Sequence, residues 1–415
     1  METKLADFIR DTTDGREANA ILRKCVHCGF CTATCPTYQL LGDELDGPRG
    51  RIYQIKRVLE GVPATPSVRE HLDRCLTCRA CETTCPSGVQ YARLLDIGRA
   101  EVVRQVPRSM PQKMLRATLR STLSNAALFG ALLAVGRTFR GVLPARIAAK
   151  IPARVDAGAW PRAAQHQRRM LALAGCVQPA LAPNTNAATA RVLDAVGITL
   201  FEAPAAGCCG ALAFHLDDEG GAREAARRNI DAWWPHVENG VEAIVMTASG
   251  CGVQVKDYGH LLRNDARYAA KAERIAALCR DASEVIVAEY ETLRTRLAVQ
   301  QNQQPARQPR ERVAFHSPCT LQHGQKIRGV IERLLEAAGY TLAPVPDAHL
   351  CCGSAGTYSL LHSSLSMQLR DNKLAALTGQ APAMIATANI GCQAHLASGA
   401  TVPVRHWIEL LDAAL

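Results

Sequence analysis

The chain has 415 residues, of which 48% are hydrophobic and 21% charged, and its formal net charge is +10. This length predicts two to four domains, and the composition provides enough apolar residues for buried cores, so we expect a globular protein. The 17 cysteines are an odd number, and the N-terminus lacks the basic and apolar segments of a signal peptide. Both features argue against a disulfide framework and favour cysteines that serve as ligands.

Residues 1–24 are predicted to be helical and lead into the first of two cysteine runs. Both runs have the spacing Cys-x2-Cys-x2-Cys-x3-Cys-Pro; one ends at Pro36 and the other at Pro86. In two-cluster ferredoxins each run gives three thiolates to one cubane cluster and its last cysteine to the other. The spacing therefore predicts two [4Fe-4S] clusters, one held by Cys25, Cys28, Cys31 and Cys85 and the other by Cys75, Cys78, Cys81 and Cys35.

The alternative is a pair of zinc sites, since two Cys-x2-Cys steps also suit tetrahedral zinc. Three consecutive steps followed by Cys-Pro, found twice, favour the clusters. A turn at Asp43–Gly50 and a helix at Arg51–Glu60 complete the predicted ferredoxin-type domain, residues 1–101. Basic residues beside the runs are expected to raise the cluster potentials by stabilising an added electron. They are Arg23, Lys24, Arg74 and Arg79.

Residues 102–168 form a predicted helical connecting region with a strong positive charge. Between Val102 and Met170 there are 13 Lys and Arg residues and one acid, Asp156. The apolar run Asn125–Gly136 is too short to cross a membrane, which needs about 20 residues. Three interpretations remain open: Arg-flanked helices on an anionic membrane surface, docking onto an acidic partner subunit, or a solvated helix pair. Nucleic acid is not an expected partner, because the region has few aromatic residues and no known reader motif.

In the rest of the chain, short apolar stretches alternate with helical ones, which is typical of α/β units. The spacing Cys-x31-Cys-Cys-Gly occurs twice, beginning at Cys176 and at Cys319. Such a regular repeat indicates a duplicated domain, with copies at 169–299 and 312–415 and a Gln- and Pro-rich linker at 300–311. The predicted fold class is therefore α+β and multidomain: a helical two-[4Fe-4S] ferredoxin-like domain followed by two homologous α/β cysteine-rich domains.

The cysteines of each copy follow predicted strands, at the edge where open α/β sheets bind ligands. We expect four thiols to converge in each copy, as candidates for a metal ion, a further cluster or a redox site. The two sets are Cys176, Cys208, Cys209 and Cys251 in the first copy and Cys319, Cys351, Cys352 and Cys392 in the second. The alternative is that these cysteines pack as small apolar residues, which is the role expected of Cys279. Asn184, Thr185 and Asn186 are the predicted N-cap of a helix at Ala187–Ala195.

Several histidines lie near the cysteine motifs. Imidazole binds iron, which makes His395 a candidate ligand, but we expect His395, His215, His316 and His349 to be satisfied core or surface residues. His27, inside the first run, is expected to tune a cluster through a hydrogen bond rather than to ligate it.

The paired-cysteine blocks resemble the cysteine-rich domains of heterodisulfide reductase, in its B subunit, and of the anaerobic glycerol-3-phosphate dehydrogenase C subunit. The longer segments KCVHCGFCTATCPTYQLLGDELDGPRGRIYQIK, HLDRCLTCRACETTCPSGV, HLCCGSAGTYSLL and NIGCQAHL resemble the glycolate oxidase iron-sulfur subunit family in particular. One departure concerns Cys251 and Cys392, which stand alone where heterodisulfide-reductase-type domains have a terminal Cys-x2-Cys. Each copy is thus expected to hold a four-thiolate cluster, a redox-active dithiol or a structural site.

The resemblance implies an electron-transfer subunit of a complex that oxidises glycolate to glyoxylate, with FAD in partner subunits and a quinone or other electron acceptor. We expect the chain to lie on the cytoplasmic side, peripheral at the inner membrane. No catalytic residue is expected in this chain, because it has no G-x-G-x-x-G after a strand, no P-loop and no nucleophile elbow. Three alternatives remain: a disulfide or quinone reductase acting at the paired cysteines, the corresponding subunit of a lactate or glycerol-3-phosphate dehydrogenase, and a scaffold with structural clusters.

Overall fold

The computed structural model describes residues 1–142, 151–161, 166–303 and 310–415. Two stretches of the basic region and the middle of the predicted linker, residues 143–150, 162–165 and 304–309, lie outside the described residues. The predicted fold class is confirmed: a helical ferredoxin-like domain precedes two α/β modules with parallel sheets.

Short helices surround the two cysteine runs in the N-terminal domain. Pro36, Pro48 and Pro66 each open a helix, where the fixed φ of proline suits the first turn and its missing N–H costs nothing. The helix predicted at Arg51–Glu60 therefore begins earlier, at Pro48, and the turn before it is shorter than predicted. The helices are Asp7–Arg10, Thr13–Lys24, Pro36–Leu41, Pro48–Leu59, Pro66–Asp73, Ala80–Thr84 and Tyr91–Gln105, with 3-10 turns at Phe30–Thr32 and Glu44–Asp46.

Each cysteine-rich module is built on a four-stranded parallel sheet. The first contains, in the spatial order β2-β1-β3-β4, the strands β1 (Arg168–Ala172), β2 (Ile198–Glu202), β3 (Ile244–Met246) and β4 (Cys279–Asp281). The second contains, in the spatial order β6-β5-β7-β8, the strands β5 (Arg312–His316), β6 (Thr341–Ala343), β7 (Met384–Thr387) and β8 (Val404–His406). The two sheets have the same strand order, as expected for duplicated domains.

Helices connect the strands, as parallel pairing requires. Those of the first module are Gln178–Leu181, Asn184–Ala195, Ala211–His215, Glu219–Glu238, Ser249–Lys256, Tyr258–Leu261, Ala269–Leu278, Ala282–Ala288 and Tyr290–Gln303. Those of the second are Val330–Ala337, Tyr358–Leu361, Ser363–Thr378, Ile390–Ala397 and Trp407–Asp412, together with a π-helical turn at Thr320–Gly324.

Three local predictions differ from the structure. The helix Tyr290–Gln303 extends into the predicted linker. The predicted cap residues Asn184 to Asn186 form the first turn of their helix, because the buried Asn186 amide donates to Leu173 O and to Glu202 instead of capping. Cys279 begins β4 rather than lying in a helix, and it is fully buried, as a packing role requires.

The two modules share one apolar core. Ile198 of the first module and Phe315 of the second belong to the same cluster of buried residues. Arg191 of the first module forms an ion pair with Asp412 of the second, with 2.6 Å between Nη2 and Oδ2. The two modules are thus packed against each other. The domain boundaries expected near residues 299 and 312 remain predictions.

The glycine after each cysteine pair has a left-handed backbone, with φ of 90° at Gly210 and 86° at Gly353. A Cβ on Gly353 would lie 2.6 Å from Ser366 O and 2.9 Å from Leu369 Cβ. We therefore expect Gly353→Ala to destabilise the protein by about 2–5 kcal/mol, through the left-handed conformation and the overpacking together. Gly356 also has a positive φ, of 61°, but nothing lies within 4 Å of its Cβ position.

Gly356→Ala is therefore the matched control and should cost only about 1–2 kcal/mol. Thermal unfolding of the two variants beside the wild type measures the difference. Equal unfolding midpoints for the two variants would contradict the close approach at Gly353.

A bent helix pair, Met110–Leu123 and Ala126–Thr138, follows the ferredoxin-like domain. The apolar run predicted at Asn125–Gly136 forms its second helix. In the described part of the chain no single helix has the length and hydropathy to cross a membrane; this pair meets the criteria only when its members are joined across a 94° bend. Large apolar side chains are exposed on both helices: Met110, Met114, Leu115, Leu128, Leu132 and Val135.

Much of the positive charge in this region is neutralised within the protein. Arg108 Nη1 and Nη2 donate to Asp73 at 2.6 and 2.8 Å, and its Nε donates to Asp217 at 2.8 Å. Arg116 also pairs with Asp217, and Arg120 with Asp218. These three arginines therefore have their counterions within the chain itself, in buried and half-buried carboxylates, and do not depend on lipid or a partner to neutralise them.

Asp73, Arg108 and Asp217 join the ferredoxin-like domain, the connecting region and the first module. Burial would raise the pKa of Asp73, but the hydrogen bonds and charge of Arg108 lower it overall. A carboxyl with a depressed folded-state pKa contributes stability above its unfolded pKa, near 3.9, and loses it as the pH falls through the lower folded value. We expect Asp73→Asn to cost roughly 3–5 kcal/mol at pH 7, because it leaves buried arginine charge without its partner.

This loss should be constant between pH 8 and 5, since both pKa values lie below that window. The exposed pair Glu291–Arg294 supplies the control, and Glu291→Gln should change stability by less than about 1 kcal/mol. Thermal unfolding at several pH values compares the variants. A difference between wild type and Asp73→Asn that shrinks between pH 7 and 5 would contradict the depressed pKa.

Candidate iron-sulfur and metal sites

The two cysteine runs adopt the same backbone conformation. The second and fourth residues after the first cysteine are left-handed in both runs: His27 and Gly29, with φ of 56° and 84°, and Thr77 and Arg79, with φ of 52° and 63°. Left-handed residues turn the chain sharply, and non-glycine residues are strained in this conformation. The repeated turns allow each short run to wrap around one space.

The first run lies around a small cavity that is partly open to solvent. Cys25, Cys28 and Cys31 line this cavity together with Cys85, the last cysteine of the other run, and Cys81 lies at its edge with the second set's other thiols nearby. Burial raises the pKa of the Cys31 thiol to about 11, and the neighbouring Cys25, Cys28 and Cys85 contribute to the shift. The structure thus brings together the four residues of the first predicted ligand set.

The second predicted set is also brought together. Burial raises the pKa of Cys78 and of Cys81 well above the usual value, and interactions with Cys35 and Cys75 add to both shifts. Cys35 comes from the first run and the other three from the second. Three thiols of one run and the last thiol of the other therefore lie in each group.

Both groups suit a cubane cluster, because each offers four thiols that converge from two loops. The raised pKa values of Cys31, Cys78 and Cys81 mean that these three thiols hold their protons when no iron is bound, so cluster binding must release them. Polar groups support the sulfurs of the second group: Cys35 Sγ lies 3.3 Å from Thr37 Oγ1, and the Tyr91 hydroxyl donates to Cys75 Sγ at 3.6 Å. Hydrogen bonds of this kind tune cluster potentials.

Arg51 is a fully buried cation beside the second group. Its Nε donates to His71 O at 2.8 Å and its Nη2 to Asp46 Oδ1 at 3.2 Å. Burial works to lower its pKa, but nearby groups, Cys75 and Cys35 among them, raise it overall. A positive charge held in the interior next to these thiols would stabilise added negative charge on a metal centre.

The basic residues singled out from the sequence have a weaker claim to this role. Arg74 and Arg79 pair with acids, as Arg51 does, but their side chains are 27% and 29% exposed, so solvent screens their charges. Arg51 was not identified from the sequence. Its burial is what sets it apart from the other arginines near the cysteine runs, and no sequence motif indicates burial.

The cysteines of both modules surround the point where the sheet order reverses. Each module's first single cysteine follows its first strand, the pair follows its second strand, and the last cysteine lies on the helix after its third strand. Ligands of doubly wound sheets bind at this point, at the carboxyl ends of the strands.

The second module touches the second ferredoxin-type group. Cys319 Sγ and Cys351 Sγ are 3.9 Å apart, and both thiols interact electrostatically with Cys78. Cys351, Leu76 and Tyr358 belong to one small apolar cluster against which Cys78 and Cys319 pack. These thiols therefore lie together where the ferredoxin-like domain contacts the second module.

The first module differs in its charge distribution. Hydrogen bonds from the Cys176 and Cys209 thiols lower the pKa of Cys208, with help from the Gly210 N–H and the Ser124 hydroxyl. The same hydrogen bonds raise the pKa of Cys176 and Cys209. These hydrogen bonds thus favour the thiolate form of Cys208, and Ser124 places the bend of the helix pair beside it.

The histidines near the cysteine motifs differ in the partners of their ring nitrogens. His395 Nε2 lies 3.0 Å from Ser366 Oγ, and His27 Nε2 lies 2.6 Å from Met1 Sδ. His316 departs from the expectation of a satisfied core residue, because among the described residues neither of its ring nitrogens has a hydrogen-bond partner. Its ring lies with the thiols of Cys352 and Cys392, and the three ligand atoms are all within 4.8 Å of one another.

Comparisons with known proteins match these features. The family model of a 4Fe-4S dicluster domain matches residues 21–89, and that of a cysteine-rich domain matches residues 170–256 and 313–397. The chain is 55% identical, over all of its length and 99% of the relative, to the glycolate oxidase iron-sulfur subunit of Escherichia coli K12.

Two further relatives are more distant. The probable glycolate oxidase iron-sulfur subunit of Bacillus subtilis 168 is 30% identical over 89% of this chain and 87% of the relative. Lactate utilization protein A of Anoxybacillus flavithermus is 25% identical over 55% of this chain and 92% of the relative. The high identity over the full length, together with the dicluster and duplicated cysteine-rich domains, shows that the chain belongs to the family of glycolate oxidase iron-sulfur subunits.

Proposed function

We propose that this chain is the electron-transfer subunit of a complex that oxidises glycolate to glyoxylate, with FAD in partner subunits and a quinone or other acceptor. The observation that carries the proposal is the crosswise grouping of the eight cysteines in the ferredoxin-like domain, where two sets of four thiols converge. Cys25, Cys28, Cys31 and Cys85 would hold one [4Fe-4S] cluster, and Cys75, Cys78, Cys81 and Cys35 would hold the other. Bound there, such clusters take up and release single electrons.

The contact between Cys78 and the thiols of Cys319 and Cys351 supports a role for the second module in the same process. We propose that the cysteines of the two modules supply further metal or redox sites. The substrate-oxidising site belongs, on this proposal, to another chain, because the residues of this one bind and shield metal centres.

The exposed apolar side chains of the helix pair support a peripheral contact with the inner membrane from its cytoplasmic side. A surface of this kind buries its apolar residues at the level of the lipid headgroups. Ser124, at the bend, contacts Cys208, so the same surface would bring a lipid-soluble acceptor close to the first module.

A second candidate function is reduction of a disulfide or quinone at the paired cysteines. The depressed pKa of Cys208 favours it, since a thiolate is the reactive form of cysteine. Cys208→Ser distinguishes the two functions: loss of acceptor reduction by the isolated chain, with both ferredoxin-type clusters intact, would favour the reductase.

Co-expression with FAD-bearing partner subunits tests the leading proposal. The chain should co-purify with them, and the complex should reduce an artificial acceptor with glycolate faster than with lactate or glycerol 3-phosphate. A complex that prefers lactate would assign the chain to a lactate dehydrogenase instead. A chain that binds no flavoprotein partner would contradict the proposal.

A further inference from the structure

His316 is the last residue of β5 and is only 2% exposed. Neither Nδ1 nor Nε2 has a hydrogen-bond partner among the described residues. Buried polar side chains nearly always have a partner, and each exception requires a physical explanation. An unpaired imidazole in the interior is destabilising, so its retention there points to a group that the protein atoms do not supply.

Two thiols face this imidazole. Cys352 is 1% and Cys392 5% exposed, and the ligand atoms of the three residues lie within 4.8 Å of one another. Around a tetrahedral zinc ion, with bonds of about 2.0–2.3 Å, ligand atoms stand roughly 3.5–3.8 Å apart. Side-chain movements of about 1 Å would therefore close the three residues around one ion.

The backbone explains why these residues meet. β5 and β7 are neighbours in the sheet, so the residue that ends β5 and the helix that follows β7 lie at the same edge. His316 comes from the first and Cys392 from the second, while Cys352 comes from the loop after β6. Asn389 Nδ2 lies 3.6 Å from Cys392 Sγ and can orient it.

The first module provides an internal comparison. The repeat offset of 143 residues, which relates Cys176 to Cys319, relates Leu173 to His316. Leu173 is buried and apolar. The two modules therefore share their cysteine pattern but differ at this position, and only the second adds an imidazole to its thiols.

The other cluster of this kind in the described chain does not need a metal. It contains Asp43, Asp46 and His71. Arg51 and Arg74 both pair with Asp46, which provides the positive charge that a cation would supply.

We propose that His316, Cys352 and Cys392 bind one thiophilic divalent ion of the Zn²⁺ or Fe²⁺ class. Thiolate and imidazole together suit these metals. Three protein ligands would leave the fourth position of a tetrahedral ion open for a further ligand. Cys351, which precedes Cys352 in the sequence, is a candidate for that position. The inference deepens the proposed function, because this site lies in the module that touches the second ferredoxin-type group.

The test uses the full-length chain purified without oxygen. Iron, zinc and acid-labile sulfide are counted per chain in the wild type, in His316→Ala and in the control His395→Ala. His395 lies in the same module, but its ring bonds to Ser366 rather than to a thiol. We expect His316→Ala to contain one metal ion fewer per chain than the wild type, and His395→Ala to contain as much metal as the wild type.

Added Co²⁺ serves as a spectroscopic probe, because thiolate coordination gives it characteristic absorption bands. The affinity for Co²⁺ should fall at least about tenfold in His316→Ala, since even loss of a supporting partner of a ligand has that effect. His316→Cys, which supplies a thiolate in place of the imidazole, should recover binding and keeps the test valid if the alanine variant folds poorly.

Equal metal content and equal Co²⁺ spectra in wild type and His316→Ala would overturn the proposal, as would a wild type with no metal beyond the ferredoxin-type clusters. The ferredoxin-type iron is a separate readout. A chain that lacks those clusters but binds Co²⁺ through His316 would contradict the proposed function and still support the metal site.

Discussion

Cys85→Ser is expected to abolish the cluster held by the first cysteine run and to leave the other cluster in place. The reason is geometric: Cys85 belongs to the second run but lies with Cys25, Cys28 and Cys31 around one cavity. Serine is a much poorer iron ligand than cysteine at neutral pH, because its hydroxyl ionises far less readily than a thiol. Iron should fall from about eight to about four per chain, and glycolate-dependent electron transfer in the complex should be lost.

Comparison of the EPR spectra of pairs of cysteine variants tests which cysteines share a cluster. The EPR spectrum of reduced Cys85→Ser should match that of Cys25→Ser, because both variants lose the same cluster. The spectrum of Cys35→Ser should match that of Cys75→Ser for the same reason. Cys279→Ser is the control, since Cys279 is buried and packs away from both groups. If each run built its own cluster, Cys85→Ser would instead match Cys75→Ser.

Arg51→Met is expected to lower the midpoint potential of the second cluster. The buried guanidinium interacts with Cys75 and Cys35, and its removal withdraws a positive charge that stabilises the reduced form. We expect a shift of roughly 50–100 mV, which corresponds to about 1–2 kcal/mol for a one-electron couple. The same change should destabilise the fold by roughly 3–5 kcal/mol, because Asp46 loses a buried partner.

Two further variants separate charge from structure. Arg51→Lys keeps the charge and should retain most of the potential, although it loses part of the hydrogen bonding. Arg74→Gln removes a partly exposed cation that Asp46 and Glu70 already offset, so its shift should be much smaller. EPR-monitored redox titration measures all three. A folded Arg51→Met protein with an unchanged midpoint would rule out this electrostatic role.

The sequence predicts the fold class and the grouping of cysteines because both depend on spacing. Two identical runs determine which loops must wrap a cluster, and the regular interval between Cys176 and the next cysteine pair, repeated from Cys319, marks the duplication. The glycine after each pair is likewise visible in the sequence. Only the structure shows why a glycine is needed there: at Gly353 the backbone is left-handed and lies against a neighbouring helix.

The electrostatic features could not be predicted in this way. Arg51 and Arg74 look equivalent in the sequence, and burial alone separates them. The arginines of the connecting region suggested a basic surface, but Arg108 turns inward to distant carboxylates. His316 was expected to be a satisfied core residue, but its ring nitrogens have no hydrogen-bond partner among the described residues, and the ring lies near two thiols. The surroundings of Arg51, Arg108 and His316 all depend on contacts between residues that are far apart in the sequence.

Glycolate-dependent reduction of the clusters tests the electron-transfer role most directly. The purified complex would be mixed with glycolate without oxygen, frozen at successive times and measured by EPR. We predict that the signals of both reduced clusters appear within the turnover time and disappear when a quinone is added. A complex that oxidises glycolate and reduces quinone at its full rate while both clusters stay oxidised would contradict the role proposed for this chain.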